Sequence, residues 1–288
     1  MNANFLPESD LALERRRADT SIDGVEYKKL PAGRFLWERI RITGKAGEES
    51  IGRPRGIYDT LTLPRMDKLD IDGEEDAAEV LARELCYIFD GSNIQPRRIL
   101  IAGIGNRALT PDSIGPKTAE KITPTMHISG FDSSVFEALE CSEIAVITPG
   151  VTASSGMESS EIVKSICDSI KPDAVIAIDS LASRSSSRLG TTVQICNTGI
   201  FPGSGIGNRR GALNQESLGI PVIAIGVPSV IDTRIFIEEE LAHLAPKREI
   251  RGADAEPMFV SPREIDSITD AAARIISGAI NQAFGIQM

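Results

Sequence analysis

The chain has 288 residues, enough for one large domain, because single hydrophobic cores rarely grow beyond roughly 250–300 residues. Hydrophobic residues make up 41% and charged residues 25%, which excludes a disordered or fibrous chain. The net charge is −10, from 41 acidic and 31 basic residues, and it argues against direct binding to the phosphate backbone of a nucleic acid.

The cysteines and the N-terminal residues indicate the cellular compartment in which the protein is found. The 4 cysteines are widely spaced and form no CxxC pair, which is typical of buried thiols in a reducing environment. The N terminus lacks an apolar core behind a basic flank, and no apolar run is long enough to span a membrane. We therefore expect a cytoplasmic protein without a membrane partner.

The first part of the chain predicts a peripheral arm. Residues 1–46 are rich in charge, with an amphipathic stretch at 11–17 and a predicted strand at 35–42. Residues 52–64, rich in Gly and Pro, indicate a loop that enters a strand, and 76–89 have helical periodicity.

Beyond this arm, short apolar runs without alternation repeat with helical segments, as expected for parallel strands covered on both faces. The predicted strands are 98–104, 144–148, 174–178 and 222–227, with an added strand at 191–196. The predicted helices are 113–122, 157–170, 231–245 and 262–284, the last with Ser261 as cap and Glu264 reaching back to it. The pattern predicts an α/β fold: a doubly wound, mostly parallel sheet with helices on both faces, plus an N-terminal arm with extra strands.

Two aspartates follow predicted strands. Asp112 comes after the first core strand in GIGNRALTPDSIGP, and Asp179 ends the strand VIAIDS. Catalytic groups in open α/β sheets collect at the carboxyl ends of the strands. Two carboxyl groups there, one of them partly desolvated, would favour different protonation states and form an acid/base pair. Each aspartate alone is also consistent with a helix cap or a turn.

Other site types find less support. There is no GxSxG motif, and His127 and His243 stand in no motif with Ser or Cys. A zinc site lacks an HExxH motif. The G-x-G-x-x-A match in IAGIGNRA suggests a nucleotide-binding oxidoreductase, but Pro111 falls where its phosphate-binding helix should run. A non-catalytic binding protein also remains open.

Several segments together resemble the germination protease family of spore-forming bacteria: GIGNRALTPDSIGP, PGVTASSGMESSEIV, KPDAVIAIDSLASR, TGIFPGSGIGNRRGALNQESLGIPVIAIGVPSVID and MFVSPREIDSIT. The resemblance implies an endopeptidase of the spore core that degrades small acid-soluble spore proteins. It also implies a homotetramer made as an inactive zymogen, without a cofactor. It places the family's proposed aspartic residues on Asp112 and Asp179, on a fold shared with hydrogenase maturation endopeptidases. A metal-dependent peptidase on that fold, with His127 among its ligands, is the alternative.

The resemblance also predicts self-processing. Family zymogens lose a short propeptide at a site with the pattern acidic, apolar, Ala, any residue, Glu. The segment DLALE fits, which predicts cleavage between Ala12 and Leu13, a propeptide of residues 1–12 and a single peptidase domain of residues 13–288.

Recognition of acidic residues on both sides of the cut requires cationic partners, because an unpaired carboxylate is costly to desolvate. The candidates flank the glycine-rich loops: Arg184, Arg188, Arg209 and Arg210. Glu158, in the helix turn after PGVTASSG, is a further candidate for substrate binding.

Overall fold

A computed structural model describes residues 9–15, 22–91, 94–131, 133–201, 211–242 and 258–286. The strands are β1 (Val25–Ala32), β2 (Phe35–Ile42), β3 (Gly56–Thr62), β4 (Arg98–Ile104), β5 (Glu143–Gly150), β6 (Ala174–Ser183), β7 (Thr192–Cys196), β8 (Val222–Asp232) and β9 (Phe259–Val260). The helices are α1 (Ala12–Arg15), α2 (Lys45–Ile51), α3 (Ile71–Gly91), α4 (Ile114–Ala119), α5 (Met126–Phe131), α6 (Ser133–Ala138), α7 (Thr152–Ser155), α8 (Ser159–Ile170), α9 (Gln215–Leu218), α10 (Thr233–Ala242) and α11 (Ile265–Ala283).

The strands of the described residues form one mixed sheet, in the order β1-β2-β3-β7-β8-β6-β4-β5, with β9 against the end of β8. The core strands β5, β4, β6 and β8 are parallel. From β8 outward through β7, β3, β2 and β1 every pairing is antiparallel. The α/β class is confirmed, and the predicted arm supplies the outer antiparallel strands of the sheet.

Helices cover both faces. On one face, α3, α4 and α11 pack on buried side chains such as Ile99, Ile176 and Ile223. On the other face, α8 covers β4 and β6, and residues of the N-terminal segment and α2 cover β2, β3 and β7. In the described part of the chain, no helix is long and apolar enough to cross a membrane.

Several element bounds differ from the sequence predictions for local reasons. Helix α3 begins five residues earlier than predicted, because Asp70 accepts a hydrogen bond from the Gly73 amide and caps it. Helix α11 begins later, at Ile265, and the predicted capping box is wrong: Glu264 makes no cap bond and lies 3.4 Å from Arg65.

Strands β6 and β8 are longer than predicted, since each pairs with the other well beyond its apolar run. Asp179 therefore lies inside β6 and does not terminate it. Helix α10 begins only at Thr233, because the two preceding residues still belong to β8 and pair with β9.

The cysteines are free, as predicted, but their burial differs from one to the next. Cys167 and Cys196 are buried, Cys141 is half-buried and Cys86 is exposed. The prediction of a buried thiol is therefore wrong for Cys86.

A buried charge cluster joins the sheet to α3. The Arg39 guanidinium of β2 donates to Asp59 of β3 at 2.9 Å and to Glu84 of α3 at 2.5 Å. Asp59 is fully buried and Glu84 is 7% exposed. Burial raises the pKa of Glu84 to about 8; the Asp59 carboxylate adds to this rise and Arg39 opposes it.

This cluster predicts a pH-dependent stability. The folded state holds the Glu84 proton more tightly than the unfolded chain, in which the pKa of Glu is about 4.3. The contribution of Glu84 to the free energy of unfolding is therefore complete below that pH and is lost as the pH rises through about 8. From pH 5 to pH 8 the Tm should fall by about 2–4 °C or more, the change that roughly 1 kcal/mol produces.

The Tm of Glu84→Gln should vary less over this range, and the exposed Glu79→Gln on the same helix should behave as the unsubstituted protein. Thermal unfolding at the two pH values measures this. The same slope in Glu84→Gln and the unsubstituted protein would contradict the assignment.

Candidate active site at the carboxyl edge of the sheet

Asp112 lies where the chain turns back after β4, in a short 3₁₀ helix of residues Thr110–Asp112. Gly105 has a φ of 117°, and a Cβ there would lie 2.2 Å from the Asp112 carbonyl oxygen, so this turn requires glycine. The Asn106 amide donates to Asp112 Oδ2 at 2.9 Å. The 3₁₀ helix contacts β6 and β8, which directs it toward the centre of the sheet edge.

Helix α4 follows at once and packs its first turn on the ends of two strands. A Cβ on Gly115 would lie 2.2 Å from the Ile104 carbonyl oxygen and 2.4 Å from that of Ile178. Both contacts are to backbone atoms, which cannot move aside as a flexible side chain can. Gly115 thus holds α4, and Asp112 before it, against β4 and β6.

Substitution Gly115→Ala should therefore destabilise the fold by about 1–3 kcal/mol or more, through overpacking against the backbone. Gly130→Ala is the matched control, because a Cβ at Gly130 of α5 meets nothing within 4 Å. Alanine there should leave stability unchanged or raise it slightly. Urea unfolding of the two variants compares them, and an undiminished stability in Gly115→Ala would contradict this packing.

Asp179 lies on the strand next to β4 and is 6% exposed. Its Oδ1 accepts a hydrogen bond from the Ser180 amide at 2.8 Å. Gly103 of β4 pairs with Ile178 of β6, so both aspartates belong to the same edge of the sheet, at neighbouring strands. The cap interpretation of Asp112 fails for α4, whose N-cap is Ser113.

The register of the sheet sets Asp179 in line with two other residues. Asp179 pairs with Gly226 of β8, and Gly226 pairs with Gln194 of β7. Residues opposite each other on adjacent strands face the same side of a sheet, about 4.8 Å apart per strand. Asp179 and Gln194 are therefore separated by roughly 10 Å of backbone, and Gly226 between them contributes no side chain.

A small cavity of about 40 Å³ lies over this row. Its lining includes Asp179, Gln194, Asp10, Arg53 and Tyr58. One water molecule needs roughly 10–15 Å³ measured in this way, so the cavity has room for water beside the Asp179 carboxyl group.

Two other ionisable groups on the lining stay neutral. Burial raises the pKa of the Tyr58 hydroxyl above its usual range, and the hydroxyl donates to the Pro54 carbonyl at 2.8 Å. Burial likewise raises the pKa of the Cys196 thiol. A protonated thiol is a poor nucleophile, so this cysteine does not suit covalent catalysis.

The predicted cleavage segment lies on this same face. Gln194 Oε1 accepts from the Ala12 amide at 2.9 Å, and Gln194 Nε2 donates to the Asp10 carbonyl at 3.2 Å. The side chain of Gln194 thus binds the main chain on both sides of Leu11. Leu11 and Ala12 are fully buried and Leu13 is 9% exposed, so the segment is packed into the protein.

Asp10 is bound from two sides. Its amide donates to the Ala182 carbonyl at 3.1 Å, and its Oδ2 accepts from the Ala182 amide at 2.9 Å. Arg53 lies 3.8 Å from Asp10 Oδ1 and donates to the Ser9 carbonyl at 2.8 Å. The segment therefore extends along the end of β6, the strand that carries Asp179.

Comparison with known proteins gives the family. The family model described as germination protease matches residues 6–254. The chain belongs to the germination protease family. The germination protease of Caldanaerobacter subterraneus subsp. tengcongensis is 36% identical, over 96% of this chain and 93% of that protein. The germination protease of Clostridium tetani is 33% identical, over 96% of this chain and 94% of that protein. The germination protease of Priestia megaterium is 35% identical, over 88% of this chain and 70% of that protein.

Among solved structures, a NiFe hydrogenase maturation protease from Thermococcus kodakarensis is similar, with 18% identity and a TM-score of 0.38. It aligns with 69% of this chain and 97% of its own. Membership of the germination protease family makes the chain a peptidase, and hence a hydrolase.

The predicted arginines of this germination protease family member have different placements. Arg188 Nε lies 3.6 Å from Glu14 Oε1. Arg184 contacts Glu14 through its main-chain amide, at 2.7 Å. The remaining two candidates, Arg209 and Arg210, lie outside the described residues.

Neither Glu158 nor His127 is on the described lining of the cavity beside Asp179. Glu158 is the N-cap of α8, and its Oε1 accepts from Thr152 at 2.9 Å. His127 is exposed, two residues after Thr125, whose amide bonds the Ile144 carbonyl near the start of β5. That is the opposite edge of the sheet from the aspartates. Among the described residues no group of three or more His, Cys, Asp or Glu side chains could hold a metal ion.

Sequence reasoning missed Arg53, Gln194 and Ser183, which bind the cleavage segment. Arg53 stands in a loop far from either aspartate in the chain, and Gln194 lies in an otherwise apolar strand. A polar residue at a buried strand position was the one signal for Gln194, since buried polar groups are almost always hydrogen-bonded.

Proposed function

We propose that this chain is a self-processing endopeptidase that cuts its own peptide bond between Ala12 and Leu13. The observation that carries the proposal is the burial of Ser9 and of Leu11, Ala12 and Leu13 beside the end of β6, with Asp10 and Asp179 on the lining of one cavity. A segment bound by its main chain and by its acidic side chains is held as a substrate is held. The bond to be cut lies next to the Ala12 amide that Gln194 binds.

The proposed chemistry uses Asp112 and Asp179 as an acid/base pair that shares one proton. The ionised carboxylate takes a proton from a water molecule, and the water oxygen attacks the carbonyl carbon of Ala12. The protonated carboxyl group then gives its proton to the nitrogen of Leu13 as the C–N bond breaks. The direct products are an Ala12 carboxylic acid and a Leu13 amine, and the two aspartates have exchanged protonation states, so atoms and protons balance. Transfer of the acid proton to the amine then gives a carboxylate and an ammonium group.

The family membership supports the biological setting. We propose that the mature enzyme, residues 13–288, acts at germination in the spore core on small acid-soluble spore proteins. We propose further that the full-length chain is its zymogen and that four copies assemble. The net charge of −10 suits an enzyme whose protein substrates, and not the DNA they coat, bind to it.

The aspartic mechanism predicts the behaviour of two variants. Asp112→Asn and Asp179→Asn should each leave the fold intact and slow self-conversion by at least about 100-fold, since each removes one half of the acid/base pair. Asp72→Asn, at an exposed position of α3, is the matched control and should convert at the normal rate. Intact-mass measurement over time, looking for loss of residues 1–12, gives the rates.

Conversion of the Asp179→Asn protein at the normal rate would show that the mechanism is wrong. A new terminus at a residue other than Leu13 in the unsubstituted protein would show that the cut site is wrong.

A further inference from the structure

We propose that the turn Ser183–Ser185, together with Arg188, is the pocket that binds a glutamate side chain two residues beyond the cut bond, in this chain and in other protein substrates. This inference rests on the proposed function. In the structure the pocket is filled by Glu14.

Glu14 is held by donors alone. Its Oε1 accepts from Ser183 Oγ at 2.6 Å and from the Ser185 amide at 3.2 Å, and its Oε2 accepts from the Arg184 amide at 2.7 Å. The Arg188 guanidinium, 3.6 Å away, adds a positive charge. Ser9 also donates its hydroxyl to Oε2. The Glu14 side chain is only 6% exposed, so these contacts replace its water shell.

The pocket is built independently of Glu14. Glu239 of α10 accepts from Ser185 Oγ at 2.6 Å and from the Ser186 amide at 2.8 Å, on the other side of the same turn. Ser183 Oγ also accepts from the Ser185 amide at 3.0 Å. These bonds fix the direction of the turn amides, so a carboxylate enters a preformed site.

The chemistry of the pocket selects a carboxylate over the amide of the same shape. In either orientation a glutamine would place its NH₂ group against a main-chain amide, that of Ser185 or that of Arg184, and an amide N–H cannot accept a hydrogen bond even though the neighbouring serine hydroxyl can. One donor of the pocket would then stay unpaired in a buried place, which is costly. The pocket begins at Ser183, only a few residues beyond Asp179 on the same strand. A glutamate bound there is therefore held at a fixed distance from the proposed acid/base pair.

Two peptides test the pocket on self-converted enzyme. One contains Asp-Leu-Ala-Leu-Glu and the other Asp-Leu-Ala-Leu-Gln, with equal flanking residues. The unsubstituted enzyme should cleave the Glu peptide with at least about tenfold higher kcat/KM, since bonds to a charged group contribute roughly 1.5–3 kcal/mol. Arg188→Gln should reduce this preference severalfold and should slow self-conversion as well, because Glu14 uses the same pocket.

Arg97→Gln is the charge-matched control. Arg97 is exposed in the loop before β4, at the opposite edge of the sheet, and should change neither the preference nor self-conversion. A purely structural loss in Arg188→Gln would lower cleavage of both peptides alike and leave their ratio unchanged, which would overturn the proposal.

The outcomes separate the pocket from the proposed function. Equal cleavage of the two peptides by the unsubstituted enzyme would overturn the pocket and leave the peptidase standing. Failure to cleave either peptide or its own chain would overturn the proposed function itself.

Discussion

The register between β6, β8 and β7 is the constraint on which the rest of the site depends. It aligns Asp179, Gly226 and Gln194 across three strands. Because β8 is parallel to β6 and antiparallel to β7, this row lies where the parallel core meets the antiparallel strands. A slip of one residue would turn Gln194 to the other face of the sheet and remove its bonds to the N-terminal segment.

The same register explains why the N-terminal segment is bound so deeply. The extra length of β6 beyond Asp179 supplies main-chain groups of Ala182 for Asp10 and the turn that receives Glu14. Cleavage after Ala12 would create a carboxylate and an ammonium group in this packed region. Burying such charges is unfavourable, so the two new chain ends should leave the site. The place beside β6 that the N-terminal segment occupies would then be open to other proteins.

Much of the fold could be predicted from the sequence, because its signals are local. The strand β4 has the predicted bounds, since a run of buried apolar residues is bounded by Arg98 and by the glycine-rich turn. The lengths of β6 and β8 could not be predicted, because residues such as Ser180 and Ser183 extend β6 only through their pairing with Val227 and Ile231, which lengthens β8 in turn. Asp70, a residue type typical of helix caps, could have predicted the earlier start of α3, but the apolar periodicity indicated a later one.

Part of the candidate site could likewise be predicted from the sequence and part could not. The two aspartates were predicted from their places after strands. The structure places Asp179 inside β6 and Asp112 in the 3₁₀ helix that follows the neighbouring strand β4, at the same edge of the sheet. The contacts of Asp10 and Glu14 join residues more than 160 positions apart. Several of their partners are main-chain amides, which every residue carries, so no side-chain pattern could reveal them.

A crystal structure of the uncleaved Asp112→Asn protein, at a resolution that shows ordered water, tests the account most directly. The account predicts one water held between residue 112 and Asp179, with its oxygen about 3–3.5 Å from the Ala12 carbonyl carbon. Side chains at 112 and 179 that point into separate regions, with the Ala12–Leu13 bond remote from both, would contradict it.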